Sequence, residues 1–360
     1  MDLIEYAEQG YFPDPLCRRH IRRRLQNHLA DPAFRNTSRR LREAGVLLED
    51  CRNGPIGSGY GLLQIRHDGL GAAFYEQHLG PYLKQSCCDY SRDPTTLADA
   101  ENAMFERYVE RAELRDGQRI LDLGGGWGGL SMWLARRFPN AQIVTLCGTA
   151  DQYAYLSLRA RSAGLANLAP AIGALGDFEF RAFTPATSAL ITDGALPELR
   201  AGFDRILAIE SFARVHNIGR LLAKLAAWMM PDGRVLVQSF AHGQRAHWFP
   251  DAPNAWLARH FLTQGLMPDP SFLLNFQDDL RCIGQWWFDG RHYARTANHW
   301  LVGLDRARLD VLNLFRAVYP LDEVAIWFQR WRLFYMTLAE VFGYEDGNVW
   351  GVAQVLLGKR

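Results

Sequence analysis

Five glycines stand within six residues at Gly124–Gly129 (GGGWGG), directly after the apolar run RILDL and directly before LSMWLARRF. Glycine backbones tolerate positive φ and let a ligand lie against the main chain. A helix opening just beyond them offers N–H groups and the positive end of its dipole. The strand–turn–helix pattern therefore predicts a nucleotide-like ligand at the carboxyl ends of the strands of an open α/β sheet. The spacing does not fit G-x-x-x-x-G-K-[ST], which argues against an ATPase-type phosphate loop. A G-x-G-x-x-G frame does fit Gly124, Gly126 and Gly129, yet the next strand ends in TLCGTADQ with no acidic residue at its tip. A dinucleotide fold wants a carboxylate there for the ribose.

The elements that must position this turn are legible on either side of it. Short apolar runs at RILDL (119–123), AQIVTL (141–146), FDRILAIE (203–210) and GRVLVQSF (233–240) alternate with helical segments. That alternation predicts a mostly parallel sheet with helices on both faces. TLADAENAMFERYVERAEL reads as a long helix capped by Thr96 with Asp99 three residues on. Residues 1 to about 80 read as helices broken at the turn-rich RNGPIGSGYG, and RRHIRRRLQNHLADP is a basic amphipathic stretch with a solvated face. The segment from Glu179 to Gly202, with Pro185 and Pro197, reads as a loop between two strands. Beyond about 245 the chain reads as helical and aromatic, closing on VWGVAQVLLGK as a last strand.

Composition narrows the function classes. With 40 Lys+Arg against 39 Asp+Glu in 360 residues, the near-zero net charge argues against a surface built to hold nucleic acid or anionic lipid by bulk charge. No apolar run is long enough for a membrane span, and the acidic start MDLIEYAEQGYFPDP is unlike a signal peptide. The six cysteines show no CxxC spacing, which fits neither a disulfide framework nor a zinc site and makes a reducing cytoplasm the expectation. No metal is expected. The 11 Trp, 13 Tyr and 20 Phe are the one skew, and many lie in the last third, where they build either a bulky core or an aromatic-lined pocket.

LDLGGGWGGL resembles the S-adenosylmethionine (SAM) turn of the cyclopropane-fatty-acid synthase superfamily, and within it the coclaurine N-methyltransferase branch. The likeness runs from about residue 60 to the end and includes SCCDYSRDPTTLADAE, FDRILAIESF, WMMPDGRVLV, FLTQGLMPD, GRHYARTANHW and WRLFYMTLAEVFGY. It implies an α/β, Rossmann-like SAM-binding core over 96–245, a helical extension and lid over 1–95, a helical substrate cap over 246–345 and a closing strand over 346–360. It also implies that Gly124, Gly126 and Gly128 line the methionine end of SAM, with Asp122 fixing the turn. Thr149 and Gln152 fall where the family places polar residues for the ribose, and Ser86 and Cys87 match the segment that folds over SAM.

Several positions depart from the family pattern. Gly125 stands where the family turn usually has Cys, and Ala174 where it often has an Asp for the adenine amine, so Asp177 becomes the substitute. The family segment E-M-F-E-H reads Glu210-Ser211-Phe212-Ala213-Arg214 here. Its Glu–His pair, suited to freeing an amine lone pair near neutral pH, is thus replaced, and Arg is no base there. Gln85 replaces a tyrosine and Ser239 a histidine. Cys87, Glu210 and Tyr293 survive from the bicarbonate cradle of the lipid-cyclopropanating relatives, but Ser239 replaces its His, which disfavours that chemistry. Catalysis then falls to Glu210, orienting a cationic amine, with His216 swinging in as base. Gln85, Arg214, Ser239, Tyr293, Trp331 and Phe334 are the expected substrate contacts, since aromatic faces attract sulfonium and ammonium alike. The resemblance implies SAM-dependent methyl transfer to a small hydrophobic acceptor, an amine nitrogen first. The replaced pair leaves open a non-methylating or catalytically silent SAM-binding homologue. A homodimer is the assembly left open.

Overall fold

The computed structural model describes residues 3–30, 36–57, 69–93, 95–180, 201–213, 215–249, 256–261 and 265–360. Helices α1 (Leu3–Glu8), α2 (Asp14–Ala30), α3 (Thr37–Asp50) and α4 (Ala72–Glu76) precede the long α5 (Leu97–Ala112). The alternating core follows as β1 (Arg119–Leu123), α6 (Gly129–Arg137), β2 (Gln142–Cys147), α7 (Ala150–Ser162), β3 (Leu168–Ile172), β4 (Phe203–Ile209), α8 (Ile218–Trp228) and β5 (Met229–His242). A small hairpin of β6 (His247–Trp248) and β7 (Leu266–Met267) encloses α9 (Trp256–His260). The chain ends with β8 (Leu280–Asp289), α10 (Arg291–Arg306), α11 (Arg308–Phe315), α12 (Val324–Phe342) and β9 (Trp350–Lys359).

Seven strands form one sheet in the order β3-β2-β1-β4-β5-β9-β8. The first five are mutually parallel, whereas β9 runs antiparallel to both β5 and β8. Every residue of β1 is buried, as expected of a central parallel strand covered on both faces. One apolar cluster packs α5, α6, α10 and α12 on one face, including Met104, Tyr108, Leu134, Trp300 and Trp331. A second packs α8 on the other, around Leu221, Leu225, Val235 and Val237.

The α/β architecture, the glycine turn between β1 and α6, and the closing strand all match the sequence reading. Thr96 accepts a hydrogen bond from the Asp99 N–H at 3.1 Å, which fixes the start of α5. One element departs from it. The stretch read as a helical cap also contributes β8, a ten-residue edge strand with alternating exposure. The aromatic richness of CIGQWWF suits a half-buried strand as well as a helix, and its position beside β9 decides the matter. The basic α2 docks as well as being solvated: Arg18 and Arg22 both reach Glu340 of α12 at 2.9 Å. Of the expected loop between β3 and β4, residues 181–200 lie outside the described residues.

Candidate active site

Parallel strands deliver their carboxyl ends to one edge of the sheet. There β1 runs into the glycine turn, β2 into Gly148-Thr149 and β4 into Glu210. Over that edge lies the segment 80–88, and from the far side come α10 and α12. Between them lies a cavity, part of it open to solvent, lined by residues from each of these elements.

On its glycine-turn side the cavity is lined by Ser86, Asp122, Gly124, Gly126 and Gln152, all expected there, and by Gln85, expected instead as a substrate contact. Gly124 and Gly126 hold φ of +76° and +56°, which favours glycine at both. Asp122 is buried and accepts from the Ser131 hydroxyl at 2.6 Å, and Ser131 accepts from Thr145 at 2.6 Å. Desolvation raises the Asp122 carboxyl to about 6. Gly125 has no room for the family's usual Cys, because a Cβ there would meet the Thr145 methyl and lie 2.8 Å from Asp122 Oδ2. Gly129 touches the Tyr82 carbonyl in the same way, so turn and overlying segment are in backbone contact.

On the other side stand Glu210, Tyr293 and Phe334, again as expected, together with Tyr108, Trp300 and Leu338. Tyr293 stacks on Phe342 at 4.3 Å, and Phe334 on Phe261 at 4.4 Å. Glu210 is 7% exposed and sits at φ +57°, a left-handed conformation rare for a residue with a side chain. Its Oε2 accepts from the Phe240 N–H at 2.9 Å and its Oε1 from Gln238 Nε2 at 3.2 Å. Desolvation pushes the carboxyl up to about 7, against the lowering effect of those two bonds and of the Lys84 charge. Lys84 Nζ is tied to the Ser86 hydroxyl and donates to the Cys87 carbonyl at 2.7 Å.

Other expected residues lie elsewhere. Gly128, at φ +80°, caps α6 and presses against Leu156 instead of facing the cavity. Thr149 caps α7 by accepting from the Gln152 N–H at 3.3 Å, leaving Gln152 alone to line the cavity. Cys87 is wholly buried, its thiol donating to the Cys88 carbonyl at 3.4 Å. Asp177 is exposed in a turn whose N–H bonds to the Ala174 carbonyl, away from the cavity lining. His216 is exposed with its ring against Trp248 at 5.3 Å, so it is no base for this site as it stands. Trp331 lies one layer behind, packed on Phe74 and Phe261. Ser239 faces the other side of β5 and, with Ala213, borders a separate small apolar cavity. Arg214 lies outside the described residues.

The sequence reading missed Lys84, Tyr108 and Gln238. A signal existed for Gln238: one polar residue inside the apolar run VLVQSF of a central strand needs a partner.

A family model described as mycolic acid cyclopropane synthetase matches residues 63–172. The (S)-coclaurine N-methyltransferase of Papaver somniferum is 28% identical over 363 residues, spanning 100% of this chain and 98% of that one. The crystal structure of coclaurine N-methyltransferase bound to N-methylheliamine and SAH superimposes with a TM-score of 0.86 at 28% identity, covering 99% of both chains. The chain is thus similar to the cyclopropane synthetase model over residues 63–172 and to coclaurine N-methyltransferase along its whole length. The cyclopropane synthase MmaA2 from Mycobacterium tuberculosis shares the fold, with a TM-score of 0.62 at 17% identity over 86% of this chain and 98% of that one. No helix among the described residues is long and apolar enough to cross a membrane.

The residues present fit SAM. The positive-φ glycines leave a cradle against the main chain, Asp122 and Gln152 supply acceptors, and the buried Trp127 indole N–H on the cavity wall has no protein partner.

Proposed function

We propose that this protein transfers a methyl group from SAM to the nitrogen of a small hydrophobic amine. The observation that carries the reading is Glu210: one buried carboxylate, held at the end of β4 in an aromatic-walled cavity that opens onto the glycine turn.

Bound SAM supplies an electrophilic methyl carried on a sulfonium. Residues Gly124–Gly126, Asp122 and Gln152 would hold it, with Ser86 and Gln85 covering it from the overlying segment. Glu210 meets the incoming ammonium, and with a pKa raised to about 7 it is matched to take up the amine proton near neutral pH. Tyr293, Trp300 and Phe334 exclude water, and their faces favour a cation over a bulk-solvated ion. Alignment of the reacting atoms supplies much of the acceleration in such a transfer, so one carboxylate suffices without the absent Glu–His pair. A silent or repurposed homologue is not favoured, because carboxylate, glycine cradle and aromatic wall occur in one cavity.

Calorimetry with SAH and transfer of label from methyl-labelled SAM to heliamine and related secondary amines test the reading. SAH binding with labelled N-methyl product is expected. No binding of SAM or SAH at millimolar concentration would overturn it, and so would binding without transfer to any amine.

A further inference from the structure

A line of polar side chains crosses the sheet interior from the outer end of α5 to Glu210. In the β5–β9 register Gln238 lies directly opposite Gln354, and in the β9–β8 register Gln354 lies opposite Trp286. Side chains alternate along a strand, so these three share one face, the face that α5 covers. From α5, Tyr108 and Arg111 stand three apart on the stripe above that row.

The hydrogen bonds along the line have one direction. Arg111 lies between the rings of Trp286 (4.7 Å) and Phe288 (4.6 Å) and donates to Gln354 Oε1 at 2.6 Å. A guanidinium has only donors, so Gln354 must turn its oxygen toward it and its amide nitrogen inward. That nitrogen donates to Gln238 Oε1 at 2.7 Å, where the Tyr108 hydroxyl also donates at 2.9 Å. With both lone pairs of Oε1 taken, Gln238 can turn only its N–H toward Glu210, and it does so at 3.2 Å. Gln238 and Gln354 are both wholly buried, where an amide turned the wrong way would set donor against donor.

We propose that Arg111 and Gln354 are positioning residues which, through Gln238, keep Glu210 an oriented hydrogen-bond acceptor facing the substrate nitrogen. Neither lines the cavity; both act through the amide of Gln238. This rests on the amine N-methylation reading for its kinetic consequence but not for its effect on Glu210. Donors to a carboxylate favour its ionised form, so loosening the line raises the pH at which Glu210 ionises. The other titratable groups facing Glu210 are Lys84 and Cys87 from the overlying segment, Tyr108 from α5 and Tyr293 from α10. The two variants leave all four in place.

The test compares Gln354→Leu with Arg111→Met, which keeps an apolar arm between the two rings of a half-exposed site and so protects the fold. Infrared difference spectra over pH 5–9, on protein without acceptor, follow the protonated carboxyl band that disappears in Glu210→Gln. Both variants are expected to raise its midpoint by about half a pH unit, equivalent to about a threefold loss of kcat/KM on the acid limb with the high-pH plateau kept. Unchanged midpoints in both variants would overturn the proposal, as would a rate loss equal at all pH values with no spectral shift. A spectral shift in a protein that methylates no amine would leave the positioning role standing and remove only the N-methylation reading.

Discussion

Replacing Glu210 by Gln separates what the site needs from what the fold needs. Burial raises this carboxyl from an ordinary 4.5 to about 7. Between those values the folded protein holds a proton that the unfolded chain has released. Stability from this group is therefore fully present below about pH 4.5 and is lost as pH rises through 7. A shift of that size corresponds to about 3 kcal/mol carried as a cost by the ionised side chain at pH 8. Gln removes the charge but turns an amide toward the Gln238 N–H, returning about 1–2 kcal/mol of that gain. The expected net is about 1–2 kcal/mol of added stability at pH 8, or about 2 °C in melting temperature for a chain of this length. At pH 5 the folded carboxyl is protonated and the cost has shrunk to about 1 kcal/mol, so the amide penalty leaves the variant level with the parent or up to about 1 kcal/mol less stable. Methyl transfer to an amine should meanwhile fall by about a hundredfold, the lower end for loss of a positioned proton acceptor. Paired thermal melts at pH 5 and 8, with kcat/KM from labelled SAM, read both effects. A variant less stable than the parent at pH 8 would show that Glu210 carries no burial cost, and one that methylates at the parental rate would show that it is not the proton acceptor.

Two further substitutions probe the cavity walls. Gly129→Ala drives a Cβ into the Tyr82 carbonyl, a backbone atom that cannot rotate away; about 1–3 kcal/mol of overpacking is expected, read as a lower melting temperature with weakened SAH binding in calorimetry. His216→Ala removes an exposed ring that packs on Trp248 outside the cavity, so kcat/KM should stay within about twofold of the parent, as for surface changes in general; a large loss would return His216 to the catalytic machinery.

Much of the fold was legible because its signals are local. Apolar runs such as RILDL, the Thr96 cap and the glycine turn each depend on a few neighbouring residues. β8 was not, since an aromatic edge strand acquires its identity from β9, some seventy residues away in sequence. Within the site, Glu210, Gln152, Tyr293 and Phe334 were found through family resemblance, and the cavity brings them together. Thr149 and Gly128 were right for the neighbourhood but serve helix ends, because a cap and a ligand contact draw on the same residue types. Ser239 and Gln238 differ by one position and therefore by one face of β5, which a motif match cannot resolve without the register. Lys84, Tyr108 and Arg111 carry no motif; only the packing of α5 and the segment 80–88 gives them a role.

Backbone strain points to a second control on the same cavity. Among the described residues six non-glycines have positive φ, and two of them, Leu83 at +49° and Glu210 at +57°, line the cavity. Each such residue costs about 1–3 kcal/mol and persists only where its surroundings hold it. For Leu83 the holder is Glu101 of α5, whose buried carboxylate accepts the N–H groups on either side, from Tyr82 at 3.3 Å and Lys84 at 3.4 Å. Its pKa is raised to about 7 by desolvation, against the lowering by those bonds and by Lys84. Glu101→Ala orphans both N–H groups and frees Leu83 to relax, displacing Lys84, Gln85 and Ser86 from the wall together. Each unpaired buried donor costs about 1–3 kcal/mol, and if half of one such loss falls on the ligand-competent conformation, SAH affinity drops by about twofold to twelvefold. Glu101→Gln keeps one acceptor and should fall between parent and Ala. Hydrogen exchange at residues 82–86 should rise in the same order. Parental SAH affinity in Glu101→Ala, with exchange unchanged, would show that the turn holds itself and that Glu101 is only filling space beneath it.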